Sequence, residues 1–152
     1  MRLYLLILPL IFLHPNISHA ILGEIAESAN SVSRMPSGFS ARSEIRESFS
    51  VRTTQSDTTT VREFISPSGV VFAVTWSGIA QPDLSILLGS YNGEYENAVK
   101  GSVRQHGRRS RSIRTDRVVV EHWGHMRSLS GRAYDPSLIP GGVSLGDIPG
   151  EL

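Results

Sequence analysis

The stretch VVVEHWGHMRSLSGRAY, residues 118–134, gathers side chains that could do chemistry: Glu121, His122, His125, Ser128, Ser130, Arg127 and Arg132. His122 and His125 make the metal candidate. Zinc takes neutral imidazole nitrogen and wants three or four ligands, so Glu121 would have to join them. On an extended strand, residues three apart project to opposite faces, and Glu121 alternates away from His122. The imidazoles converge only if Gly124 bends the chain. The pattern is not the helical HExxH arrangement, which puts both histidines on one face. A metal-dependent or hydrolytic enzyme using His122 and His125 stays as an alternative. The preferred reading is a β-hairpin with Gly124 at its corner.

Other catalytic arrangements find less support. The chain has no Cys, so thiolate chemistry and disulfides are out. No GxSxG nucleophile elbow is present. Ser128 and Ser130 stand near His125 in the chain. A catalytic serine needs a base in hydrogen-bond reach and a third group to orient that base, and the spacing supplies neither. Glu94 and Glu96 fall on different faces of a helix-like segment, whereas glycosidase carboxylates face each other across about 5–10 Å of cleft. No catalytic residue and no cofactor is assigned.

Two binding surfaces are suggested. Six arginines fall between Arg104 and Arg117, with Asp116 the one acid among them. Guanidinium groups grip phosphate and carboxylate bidentately. An exposed loop at 104–117, with Arg108, Arg109 and Arg111 at its centre, would thus be an anion-binding module. The second candidate is aromatic. Trp76 and Trp123 each end a strand-like run. On a shared exposed face they would make a platform for a sugar or a peptide. The competing reading is that they seal a core against a helix.

Residues 1–20, MRLYLLILPLIFLHPNISHA, bound the choice of partner. Arg2 is the lone cation, an apolar run spans Leu3 to Leu13, and Ser18-His19-Ala20 puts small residues at the −3 and −1 positions of a cut after Ala20. That is a secretory signal. The apolar run is too short to cross about 30 Å of hydrocarbon. The expectation is an exported protein, periplasmic or extracellular, with no transmembrane segment after cleavage and no nucleic-acid partner. Without Arg2 the 15 Lys and Arg become 14, equal to the 14 Asp and Glu. Global charge therefore selects no polyanion.

Alternation and turn chemistry set the elements. Residues 21–34 place Ile21, Leu22, Ile25, Ala26, Ala29 and Val32 on one helical face, which predicts a short N-terminal helix or an arm. Residues 45–53 and 59–65 read as strands. Residues 70–76, VVFAVTW, read as a central apolar strand, and SPSG at 66–69 as the hairpin turn between them. Pro82 suits a helix start, and a helix runs to about residue 98, kinked or divided near Gly89 or Gly93. VVVEHW and HMRSLSGRAY supply the last two strands. Residues 140–152 are rich in Pro and Gly and read as a flexible tail.

VREFISPSGVVFAVTWSGIAQPDLSILLGSY together with GHMRSLSGRAYDPSLIPGGV resembles the bacterial family called domain of unknown function 2844. ILGEIAESANSVSRM is similar as well, so the resemblance covers most of the chain after residue 20. It implies a small exported bacterial protein and assigns no activity, cofactor or catalytic residue.

The predicted architecture is α+β: an antiparallel sheet of about five strands with one main helix on one face, plus the N-terminal helix or arm. The predicted divisions are a signal at 1–20, an arm at 21–43, one domain at 44–139 and the tail at 140–152. The predicted role is a non-catalytic binding or assembly module of the cell envelope. Its partner would be an envelope component: a protein, a glycan or an anionic lipid headgroup.

Overall fold

The computed structural model of the chain describes residues 21–26, 40–102 and 110–150. They form one antiparallel sheet of seven strands in the order β1-β2-β3-β4-β7-β6-β5. The strands are β1 (Ser40–Ile45), β2 (Ser50–Gln55), β3 (Thr59–Ile65), β4 (Val71–Gly78), β5 (Ser110–Arg114), β6 (Val119–His125) and β7 (Ser128–Tyr134). The broad α+β expectation stands, but the five-strand sheet is corrected to seven.

Both extra strands have physical reasons for escaping notice. The alternation over 45–53 is two strands, because the chain turns at 46–49, where the Arg46 N–H donates to the Phe49 carbonyl at 2.9 Å. β1 therefore straddles the predicted domain boundary at residue 44, with its first four residues, 40–43, in what was read as an arm. β5 falls within the stretch read as an arginine loop at 104–117. It buries a single side chain, Ile113, and so lacks an apolar period. Residues 103–109 lie outside the described residues.

β4 is central because six consecutive residues, Val71–Trp76, are buried. Such a run is what a strand covered on both faces gives. Phe64 pairs with Ala73 and Ile65 with Val71, so Phe72 is an extra residue in the ladder. This bulge lets Val71 and Val74 share one face while Phe72 and Ala73 serve the other. The predicted turn at 66–69 closes the β3–β4 hairpin. The Gly69 N–H donates to the Ser66 carbonyl at 2.9 Å, and Gly69 takes φ 85°, where glycine is unstrained.

One face is covered by α1 (Leu84–Leu88), a turn of 3-10 helix at Gly89–Tyr91, and α2 (Asn92–Gly101). The Asp83 carboxylate caps the start by accepting from the Ser85 N–H at 2.9 Å. Gly89, at φ 49°, divides the helix. Leu22, Leu87, Leu88 and Tyr91 pack there on Val71, Val74, Trp76, Val118, Val120 and Ala133. Residues 21–26 are not helical. They form a turn and an isolated bridge, Ile25 to Val70, alongside the start of β4. The rest of the expected N-terminal helix, from residue 27, lies outside the described residues.

The opposite face is covered too. Ile148, Val143, Leu138 and Ile139 pack on Phe49, Val51, Phe64, Phe72, Val119 and Tyr134. Ile148 is fully buried. Residues 140–150, read from composition as a flexible tail, are a second cover, held by apolar side chains spaced between the prolines and glycines.

Candidate functional site

Strand register builds a row across the helix-covered face. Trp76 of β4 pairs with Gly131 of β7, Gly131 with His122 of β6, and His122 with Arg111 of β5. A Cβ on Gly131 would meet Trp76 Cζ2 at 2.3 Å. Glycine therefore leaves the room in which the indole crosses β7 and reaches β6. The Trp76 and His122 rings then meet edge-on, with centroids 5.5 Å apart. Tyr95 of α2 closes the group from above, its hydroxyl 3.1 Å from His122 Nε2.

Electrostatics fix the state of this group. Burial, and then the charge of Arg111, lower the His122 pKa below the usual imidazole value. Burial raises the Tyr95 pKa. A neutral imidazole can accept the Tyr95 proton at Nε2 and keep its own on Nδ1. Arg111 itself is exposed and donates to the Ser102 hydroxyl at the end of α2.

A second polar lock lies nearby. The Tyr91 hydroxyl donates to Asp135 Oδ2 at 2.7 Å, and Asp135 Oδ1 accepts from the Ser137 N–H and hydroxyl. Burial, then the hydrogen bond and charge of Asp135, push the Tyr91 pKa up to about 12. The Arg117 guanidinium lies 4.9 Å from the Tyr91 ring centroid and pairs with Glu94. Sequence reasoning missed this pair. Its signals were a tyrosine on the apolar side of the helix and an Asp-Pro step ending β7, but they are 44 residues apart.

Arg132 organises the other face. Its Nε donates to Glu121 at 2.6 Å. Its Nη1 donates to the carbonyls of Leu145 and Ile148 at 3.2 and 2.9 Å. The same guanidinium stacks 5.5 Å from Trp123 and 5.6 Å from Tyr134. Trp123 in turn faces Gly150, where an added Cβ would lie 2.3 Å from the indole.

The structure thus separates most of the residues that sequence spacing suggested. Trp76 is 2 % exposed and lies on the opposite face from Trp123, so the two make no shared platform. His122 is half-buried against Trp76 and Tyr95, while His125 is exposed near the β6–β7 turn. They do not converge. Gly124 is not the corner. It pairs with Leu129, and the turn is Met126–Arg127, with Arg127 at φ 67°. Gly124 is needed instead for a close approach, since a Cβ there would lie 2.2 Å from the Ser128 carbonyl. Glu121 pairs with Arg132, and Glu63 with Arg52. Glu96 lies 3.9 Å from Lys100. Among the described residues no group of three or more His, Asp or Glu could hold a metal ion. Arg108 and Arg109 lie outside the described residues.

A family described as protein of unknown function (DUF2844) matches residues 18–148, which takes in all seven strands and both covers. The chain belongs to the DUF2844 family. No curated protein and no solved structure matches it. The matched span of this DUF2844 protein includes the Trp76–His122–Tyr95 group and the Arg132 clamp.

Proposed function

We propose that this DUF2844 protein is exported and serves as a non-catalytic binding module of the cell envelope, with an anionic envelope component as its partner. The observation that carries the reading is the arginine-lined edge of the sheet. Arg111 and Arg114 are exposed on edge strand β5, and the sequence just before that strand carries Arg104, Arg108 and Arg109. Export is supported by the signal-like residues 1–20. No helix among the described residues is long and apolar enough to cross a membrane. The side chains with chemical potential support a binding role because they are engaged in structural contacts: His122 with Tyr95, Asp135 with Tyr91, and Glu121 with Arg132.

The test is co-sedimentation of the purified protein with vesicles, anionic in one series and zwitterionic in the other, over rising salt. Binding is expected for the anionic series alone, weakening steeply as salt rises. Each cation near such a surface contributes about 1 kcal/mol. Replacing Arg108, Arg109 and Arg111 by Ser should therefore weaken binding by roughly two orders of magnitude. Equal binding to both vesicle types, or none to either, sinks the reading for lipid headgroups. The same salt series with a soluble acidic polysaccharide then decides whether any envelope anion is bound.

A further inference from the structure

The two edges of the sheet differ in kind. β5 is an edge guarded by Arg111 and Arg114, and α2 packs against it. β1 is the other edge, and β2 is its one strand neighbour among the described residues. Five of its six residues are exposed. Ile45 is 88 % exposed although β-branched and apolar. Such a strand is a template for another strand.

We propose that β1 pairs antiparallel with β1 of a second copy, about a two-fold axis at Ser43. The residue pattern is self-complementary in that register. Arg42 falls opposite Glu44 of the second copy, Glu44 opposite its Arg42, and Ala41 opposite its Ile45. No such match exists for β5: pairing it about Ser112 leaves Arg111 opposite Ile113 and Arg114 opposite Ser110, with no acid to meet either arginine.

Backbone geometry fits the same register. Arg46 donates to Phe49 across the β1–β2 turn, and β1 pairs with β2 in continuous register. Antiparallel ladders alternate, so Arg42 and Glu44 turn their N–H and C=O toward β2. Ala41, Ser43 and Ile45 then turn theirs outward. Ser43 would exchange both bonds with Ser43 of the second copy, and Ala41 with Ile45. Arg42 and Glu44 fall in the non-hydrogen-bonded pairs, where facing side chains come closest. A two-fold axis normal to the sheet keeps each face continuous, so the two seven-stranded sheets join edge to edge. This contact is independent of the anion-binding reading, whose described arginines, Arg111 and Arg114, lie at the far edge.

The experiment is sedimentation velocity of the purified protein over a concentration series. A monomer–dimer equilibrium is expected for the natural sequence. Ser43→Pro removes the outward N–H at the axis without touching the ladder to β2. It should raise the dimer dissociation constant at least about tenfold, with thermal melting as a check that the fold survives. Arg42→Glu and Glu44→Arg singly put like charges opposite each other and should each weaken the dimer several-fold, toward roughly tenfold. Together they recreate the complementary pairs and should restore it. The double variant does not restore the Glu44–Arg46 contact within one chain, so rescue reads the contact between copies. A protein that sediments as a monomer throughout overturns the proposal. So does a dimer indifferent to the single charge reversals, or one the double reversal fails to restore.

Discussion

Each face of the sheet carries one tryptophan, and the two faces close by different means. On the helix side, Trp76 is buried beneath the divided helical segment, and its polar neighbours, His122 and Tyr95, meet as neutral groups. On the other side, Trp123 is half-buried under an irregular segment, fastened by one guanidinium. The first closure rests on apolar area and shape. The second rests on charge-assisted hydrogen bonds plus one deep apolar anchor, Ile148. A helix satisfies its own backbone groups and needs only an apolar stripe to dock. A segment rich in Pro and Gly cannot, so the sheet must supply donors to its carbonyls. Arg132 does this from β7.

If that contrast holds, damage to the first face is global and damage to the second is local. Trp76→Ala empties the space over Gly131 and should cost about 3–5 kcal/mol, seen as one cooperative loss in thermal unfolding. A separate early transition of the helix would break the contrast. Arg132→Lys keeps the charge but loses the planar fork and the ring stacking. It should cost about 1–3 kcal/mol, with amide-exchange protection falling in residues 143–150 well before the sheet. Equal loss of protection across β4 would show that the second cover is not an independent unit.

The smallest effect is one of pH. The His122 pKa is lowered in the folded chain from the ordinary 6.5. The unfolded chain therefore binds the proton more readily. Stability is fully present above about pH 6.5 and falls as pH drops from there toward the folded value. His122→Phe should flatten that part of the profile. A profile that keeps its slope in this variant would place the titrating group elsewhere.

The fold was legible where local chemistry and global role agree. Ser66–Gly69 reads as a turn from its Pro and Gly, and VVFAVTW reads as a central strand. The separation of His122 from His125 followed from the two-residue period alone. β5 was not legible, because an edge strand needs only one buried residue and its arginines look like a loop. The alternation over 45–53 hid a turn, since Glu47 disturbs the period too slightly to mark it. The Tyr91–Asp135 contact and the Arg132 clamp join distant segments, and nothing in the intervening composition encodes their meeting. The tail misled for a related reason: Pro and Gly forbid regular structure there, but they do not forbid burial of Ile148.

The placement of the two indoles has a practical consequence. Each side of the molecule carries its own fluorophore, and the chain has no others of that kind. Trp76, shielded from water beside an imidazole, would emit toward the blue. Trp123, partly wetted and stacked under a cation, would emit further to the red. Departure of the C-terminal segment would then register as a change in colour, and collapse of the helix side as a change in brightness, in the same cuvette and without any added label.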